Sequence, residues 1–297
     1  MRGRSGVSAL THPELRELAL LYRQTAADLS AARDDAGNAQ LAAYLNQLLG
    51  RAHNLVYAAR PARTRSLAGF YTHTFPQVFR ATWRYTAAAS ALFALGAVAG
   101  IVISAADPGF QRFLLGGHMM DTIERREMWT HSILSVKPLA SSAILTNNLS
   151  VAFSAFAMGA LAGAGTLYIM VFNGLMIGVI GSACHRAGLS IPLWSFVAPH
   201  GALELPAIFI AGGAGLLLAR GIVAPGLRPR REALAQSGGE SIRLLLGIFP
   251  LLVIAGVIEG FVSPTPLEPA LKFAIGAAVL ILLALYLTVF NRRARES

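Results

Sequence analysis

The segment VAPHGALELPAIFIAGGAGLLLAR, residues 197–220, decides the class of fold. Its length matches the roughly 20 apolar residues that a helix needs to cross the hydrocarbon core of a bilayer. The same segment places His200, Glu204 and the helix breaker Pro206 close together. Polar groups are costly in hydrocarbon and usually face the interior of a helical bundle. The segment therefore predicts a membrane-spanning helix with a polar pocket on one side.

The composition of the chain extends this interpretation to most of its 297 residues. Apolar residues make up 55% and charged residues 13%, whereas soluble domains carry roughly 25% charged residues. The single cysteine, Cys184, excludes an internal disulfide and any cysteine-based metal cluster. The polar N-terminal region lacks the pattern of a cleavable signal peptide, so we expect the first span to act as its own insertion signal.

Hydrophobic runs predict an all-α, polytopic membrane protein with six transmembrane helices. The long apolar region after residue 142 exceeds one span, and GAGT at 163–166 is the predicted break within it. The predicted spans cover residues 83–105, 143–163, 166–184, 193–219, 244–262 and 270–290.

The distribution of positive charge predicts the orientation. Most of the 25 Lys and Arg residues fall on residues 1–84, 220–243 and 291–297, and basic residues concentrate in cytoplasmic loops. Both termini, including the basic tail 291–297, are therefore expected in the cytoplasm.

The N-terminal region contains two further predicted elements. Apolar residues at three- and four-residue steps predict a cytoplasmic helical hairpin within residues 1–62. Residues 63–82 predict an amphipathic helix at the membrane surface, bent at Pro76, because aromatic and basic residues suit the headgroup layer. The predicted interface residues are Arg63, Arg65, Phe70, Phe75, Phe79, Arg80, Trp83 and Arg84.

Glycines spaced four apart predict close helix packing, since they let helix backbones approach in lipid. They do not by themselves indicate a dimer face. These pairs are Gly96 and Gly100, Gly159 and Gly163, Gly174 and Gly178, and Gly256 and Gly260.

A second set of residues predicts the polar pocket of the bundle. His200 and Glu204 share a helix face because they are four residues apart. A helix that begins at Pro199 would place Glu204 where the helix dipole favours a carboxylate. Three roles stay open for this pocket. In a structural role, His200 and Glu204 would hydrogen-bond to asparagine side chains or to each other. The other two roles are binding of a partner or small ligand, and transport or proton coupling. Its predicted members are His200, Glu204, Pro206, Asn147, Asn148, Asn173 and Glu259.

Several chemistries find no support in the sequence. HEXXH, a GxSxG elbow and a P-loop are absent, so we expect neither an enzyme nor a resident metal or cofactor. His118, Glu124 and His131 lack ligand spacing. The basic N-terminus is explained by topology and anionic lipid, so we expect no nucleic acid as partner.

Four stretches together resemble the stage II sporulation protein M family, in the branch found in bacteria that do not sporulate. They are YLNQLLGRAHNLVY, FPQVFR, NNLSVAFSAFAMGALAGAGTLYIMVFNGLMIG and PHGALELPAIFIAGGAG. The resemblance implies a bacterial inner-membrane protein without enzymatic activity. It also implies partners in the cell envelope or cytoplasm, including a MoxR-type AAA ATPase system.

The leading hypothesis is a non-catalytic membrane scaffold that organises a cell-envelope complex, for example one that remodels peptidoglycan. The N-terminal helices and the predicted outer loop 106–142 would contact its partners, and a homo-oligomer stays open. The alternative is a permease or channel for a small solute or protons that uses the pocket of His200 and Glu204.

Overall fold

The computed structural model describes residues 11–33, 38–57, 67–128, 137–227 and 229–289, and every described element is helical. The chain divides into two compact units, Met1–Ser66 and Leu67–Ser297. In the first unit, α1 (His12–Arg33) contacts α2 (Ala39–Tyr57). Thr11 donates through its backbone N and its hydroxyl to the Glu14 carboxylate, at 2.6 and 2.8 Å. This contact satisfies a free donor at the start of α1.

The second unit begins with one continuous helical segment, Leu67–Ala106. Its parts are α3 (Leu67–Gly69), a π-helical turn (Phe70–Thr74) and α4 (Phe75–Ala106). The sequence predicted a surface helix, bent at Pro76, that leads into the first span. The structure places Pro76 in the first turn of α4, directly after the π-helical turn.

The remaining elements that the structure describes in the second unit are seven helices and one short turn. They are α5 (Pro108–Leu115), α6 (Gly117–Glu124), α7 (Lys137–Ala157), a 3₁₀ turn (Met158–Ala160), α8 (Ala164–Arg186), α9 (Ser190–Val223), α10 (Arg230–Phe261) and α11 (Pro269–Thr288).

Five helical segments of the described chain are long and apolar enough to cross a membrane: Leu67–Ala106, α8, α9, α10 and α11. The one predicted span left over, 143–163, corresponds to α7, a helix of 21 residues that is not among these five. The membrane-protein class is therefore confirmed, while the count of six stays a prediction. The break between α7 and α8 lies at residues 158–163, slightly before the predicted 163–166, because α8 already begins at Ala164. Ala162 and Gly163 have φ of 53° and 88° there.

Helix α9 lies at the centre of the bundle, because it contacts α4, α7, α8, α10 and α11. Buried side chains of α9 form one cluster with those of α4, α7, α10 and α11. The cluster includes Phe75, Ile210 and Leu244. A stretch rich in glycine and alanine at 211–215 is fully buried. Small side chains there let neighbouring helices approach the α9 backbone.

The predicted glycine pairs of α4 and α8 face each other inside the chain. A Cβ atom on Gly96 or Gly100 would lie 2.1 Å from the Val171 carbonyl oxygen or 2.4 Å from that of Leu175. Reciprocally, one on Gly174 or Gly178 would lie 1.9 or 2.1 Å from the carbonyl oxygens of Phe93 and Ala97. The two backbones are therefore in direct contact, which side chains would prevent.

The other predicted glycines are also buried. A Cβ on Gly159 would lie 2.2 Å from the Gly215 carbonyl oxygen of α9. Gly163 precedes α8 in a left-handed conformation that suits glycine. Gly256 and Gly260 are buried on α10.

Candidate functional site

Helix α9 carries His200 and Glu204 through the middle of the bundle. The helix begins at Ser190 and continues through Pro199 and Pro206, so it does not begin at Pro199, the start considered above. Next to Pro199, the Ala198 carbonyl lies against Gly276 of α11. A neighbouring helix therefore packs on this part of α9, and proline is tolerated in membrane helices that are buried in protein. Because the helix dipole acts mainly within the first turn, it does not explain the position of Glu204.

Three chemistry-bearing side chains meet where α10 ends. His200, Glu204 and Glu259 each offer one ligand atom, and these three atoms lie within 4.8 Å of one another. His200 Nε2 is 3.9 Å from Glu259 Oε1, which is too long for a hydrogen bond. His200 and Glu259 are each only 5% exposed. We call these three residues the polar cluster.

Ser263 fixes the orientation of the imidazole. His200 Nδ1 and Ser263 Oγ are 2.9 Å apart, and the His200 ring lies edge-on to Phe196 with centroids 5.5 Å apart. A proton on Nδ1, donated to Ser263, would leave the Nε2 lone pair directed toward the carboxylates. The expected partners of His200, an asparagine or Glu204, are replaced by this serine.

Lys272 supports Ser263 from α11. Its Nζ donates to the Ser263 carbonyl oxygen at 2.7 Å, and its side chain is buried. Sequence reasoning missed both residues. The detectable signal was an isolated Lys in the last apolar run, since buried lysines are rare unless they are paired.

A cleft of about 640 Å³ leads to the polar cluster from the other side. Its lining includes Asn147 and Asn148 of α7, Asn173 of α8 and Glu204. Asn147 donates to Asn148 at 3.3 Å, while Asn173 donates to the Ile169 carbonyl within its own helix at 2.8 Å. Six of the seven predicted pocket residues thus line either the cleft or the polar cluster, and Glu204 belongs to both. Pro206 is half-buried on α9 just beyond them.

The predicted interface residues separate into different environments. Phe75 is fully buried against Gly247, and Phe79 packs on the same core, because α10 covers this face of α4. Arg80 donates to the Leu287 carbonyl oxygen at 3.0 Å. Phe70 is half-buried, while Trp83 and Arg84 are exposed. Arg63 and Arg65 lie outside the described residues.

Comparison with known proteins identifies the family. The profile of stage II sporulation protein M matches residues 89–264, more than half of the chain. This chain belongs to the stage II sporulation protein M family. The match includes His200, Glu204, Glu259 and Ser263, whereas Lys272 lies beyond it.

Two further comparisons found a second family model that matches the N-terminal region and one similar protein. Residues 1–58 match a domain of unknown function, DUF8413. An uncharacterized protein of Methanocaldococcus jannaschii is 29% identical over 123 residues, which cover 41% of this chain and 69% of that protein. No solved structure matches the chain.

Proposed function

We propose that this family member is a non-catalytic membrane scaffold whose α5–α6 segment, residues 108–124, docks a partner protein of the cell envelope. The observation that carries the proposal is a small folded cap fixed to the end of the bundle. Met120, Ile123 and Met128 pack with buried residues of α8 and with Leu189 and Leu193 at the start of α9. The cap can therefore hold a partner in a defined position relative to the membrane.

The outer face of the cap offers both apolar and charged contacts. Phe113 is 82% exposed. Next to it, Arg112 pairs with Asp121 at 2.7 Å and with Glu124 at 3.2 Å. These carboxylates raise the pKa of the Arg112 guanidinium. Exposed ion pairs add little stability. We therefore interpret these charges as contacts for a partner protein and not as a contribution to folding.

Photocrosslinking tests the docking role of this face. A photoreactive amino acid at position 113 should give a discrete protein adduct in native membranes. The same group at Leu267, an exposed apolar residue in the loop before α11, is the matched control. Envelope proteins on the outer side of the membrane are the partners expected in mass spectra. Identical adducts at the two positions, or adducts with lipid alone, would rule out docking at Phe113.

We also propose a bacterial cytoplasmic-membrane location with both termini in the cytoplasm, which puts the cap outside. The support is the distribution of basic residues. Cysteines placed at Leu20 and Phe113 should differ in labelling by a membrane-impermeant maleimide in intact cells, with only position 113 labelled. Cys184 is buried, so it leaves a low background. Labelling at Leu20 would reverse the orientation.

A second candidate function is passage of protons or a small cation. The cleft and the polar cluster form a continuous set of polar groups through Glu204, which favours this function specifically. In proteoliposomes, Glu204→Gln should abolish a proton flux that wild type carries under a potassium diffusion potential. Glu240→Gln, on α10 outside the cluster, should retain the flux. Equal fluxes in wild type, both variants and empty liposomes would exclude this function.

A further inference from the structure

We propose that His200, Glu204 and Glu259 bind a divalent transition-metal ion, with Zn²⁺ as the best fit. The proposal concerns the polar cluster and does not depend on docking by the cap or on ion flux. It differs from the expectation drawn from the sequence, where a lone histidine in a span gave no complete ligand set. The tertiary structure supplies the third ligand, because α10 brings Glu259 beside α9.

The donor set matches the chemistry of such an ion. One imidazole nitrogen and two carboxylate oxygens are common ligands of zinc, and a fourth position would be available for water from the cleft. Two tetrahedral ligand atoms at zinc distances lie roughly 3.4 Å apart. The three ligand atoms lie within 4.8 Å of one another, with 3.9 Å between His200 Nε2 and Glu259 Oε1. Binding therefore requires the flexible glutamate side chains to move inward by about 1 Å.

An unpartnered oxygen points to the same ligand independently. Glu259 Oε2 is buried and has no hydrogen-bond partner among the described residues. A buried polar atom without a partner carries a desolvation cost. Two neighbouring carboxylates in a water-poor site must also be neutralised by a proton or by a cation. A divalent ion would neutralise both and give Glu259 Oε2 its partner.

Ser263 and Lys272 are placed to hold His200 in position as a metal ligand. A ligating histidine usually donates its other ring N–H to a fixed acceptor, and Ser263 Oγ lies 2.9 Å from His200 Nδ1. Lys272 holds the Ser263 backbone from α11. The cleft that Glu204 lines supplies an entry path. Ligands, support and access are therefore all present in this part of the molecule.

Cobalt binding provides the first test, because Co²⁺ replaces Zn²⁺ and reports tetrahedral coordination by visible absorption. The full chain would be purified in detergent with a tag that lacks histidine, then stripped with a chelator. Wild type should bind one Co²⁺ per chain with an intense visible band, and Zn²⁺ should displace it. His200→Gln should abolish the band. Wild type that stays folded but binds no Co²⁺ at millimolar concentration would overturn the proposal in favour of a shared proton.

Variants separate the ligands from their surroundings. Glu204→Gln and Glu259→Gln, which preserve shape, should each abolish the tetrahedral band. Ser263→Ala should retain the band but weaken metal affinity by about 10- to 100-fold. His185→Gln and Glu268→Gln, exposed positions near the same end of the bundle, should bind as wild type does. Equal binding by folded wild type and folded Glu259→Gln would overturn the proposal.

Thermal unfolding keeps the test decisive if a variant folds poorly. Zn²⁺ should raise the unfolding temperature of wild type, because a ligand that binds only the folded state stabilises it by mass action. The same Zn²⁺ concentration should leave the unfolding temperature of Glu204→Gln unchanged. An equal rise in both proteins would assign the effect to adventitious sites and overturn the proposal.

Discussion

The α4–α8 interface and the polar cluster are two ways of joining helices within one membrane protein. At the first, glycines bring backbone against backbone, as between Gly174 and the Phe93 carbonyl. At the second, His200, Glu259 and Ser263 meet through polar atoms, and one carboxylate oxygen stays unpartnered. Close packing supplies stability in lipid, whereas polar groups there are costly and mark function. The α4–α8 interface therefore holds the bundle together, whereas the presence of the polar cluster is better explained by a function.

The largest effect is expected from a side chain placed in the glycine interface. Gly174→Val should destabilise the bundle by about 3 kcal/mol or more, since overpacking against a rigid backbone cannot relax easily. Gly239→Ala, on α10 with no atom within 4 Å of the new Cβ, should be neutral or stabilising by up to about 1 kcal/mol. Denaturation in mixed micelles measures both. A stable Gly174→Val would show that this interface does not hold the bundle together.

The contact between Phe75 and Gly247 offers a sharper test of packing by shape. A Cβ on Gly247 would lie 1.9 Å from the Phe75 ring, so Gly247→Ala should cost about 1–3 kcal/mol. Phe75→Ala alone should cost about 3–5 kcal/mol through the cavity it leaves. In the double variant the clash disappears, and the total should fall below the sum of the two. Additive effects would show that the ring can move aside freely.

Loss of Lys272 should have a moderate effect on stability. Lys272→Met keeps most of the side-chain volume but leaves the buried Ser263 carbonyl without this donor, which costs about 1–3 kcal/mol. Lys272→Arg, which retains a donor, is the matched comparison and should lose less. The free energy of unfolding in mixed micelles is again the readout. An unchanged value for Lys272→Met would show that Ser263 is held by the rest of its loop.

The polar cluster itself should contribute little to stability in chelated protein. Glu259 Oε2 has no hydrogen-bond partner among the described residues to lose, and glutamine preserves the shape of the side chain. Glu259→Gln should therefore change the free energy of unfolding by less than about 1 kcal/mol. Unfolding in the presence of a chelator measures this. Destabilisation comparable to that of Gly174→Val would make the cluster structural and remove the contrast between the two regions.

The smallest expected effect lies in the N-terminal unit, at the start of α1. Hydrogen bonds from the Thr11 backbone and hydroxyl lower the pKa of the Glu14 carboxyl. A lowered pKa means that this support is complete above the pKa of the unfolded chain and is lost as pH falls through the folded value. Amide exchange in the first turn of α1 should therefore accelerate at acidic pH. Glu14→Gln should show no such step, and a step that persists in it would assign the effect to another group.

The pattern of apolar runs predicted the fold class well, because hydrophobic length is a local property. The runs that became α8, α10 and α11 were visible at once, and so was the break before α8. The two prolines of α9 were misleading, since a proline in isolation indicates a helix start or end. Whether a helix continues through Pro199 depends on the neighbours that pack around it, such as Gly276.

The candidate site was only partly predictable for a similar reason. Polar residues inside apolar runs identified six residues that line the cleft or the polar cluster. The sequence alone could not show that Gly96 and Gly100 face Gly174 and Gly178, or that Ser263 is the partner of His200. Lys272 was overlooked because its partner is a backbone carbonyl nine residues earlier, which carries no signal in the side-chain pattern.

Three properties of this protein can be inferred from its sequence: it is helical, it is suited to a membrane, and it places a few costly polar groups inside apolar runs. They follow from composition and periodicity along the chain. Which polar groups meet depends on the packing of α9, α10 and α11, because that packing sets distances between residues as far apart as His200 and Ser263. The chemistry of the site arises from those distances, and no single segment of the chain contains them.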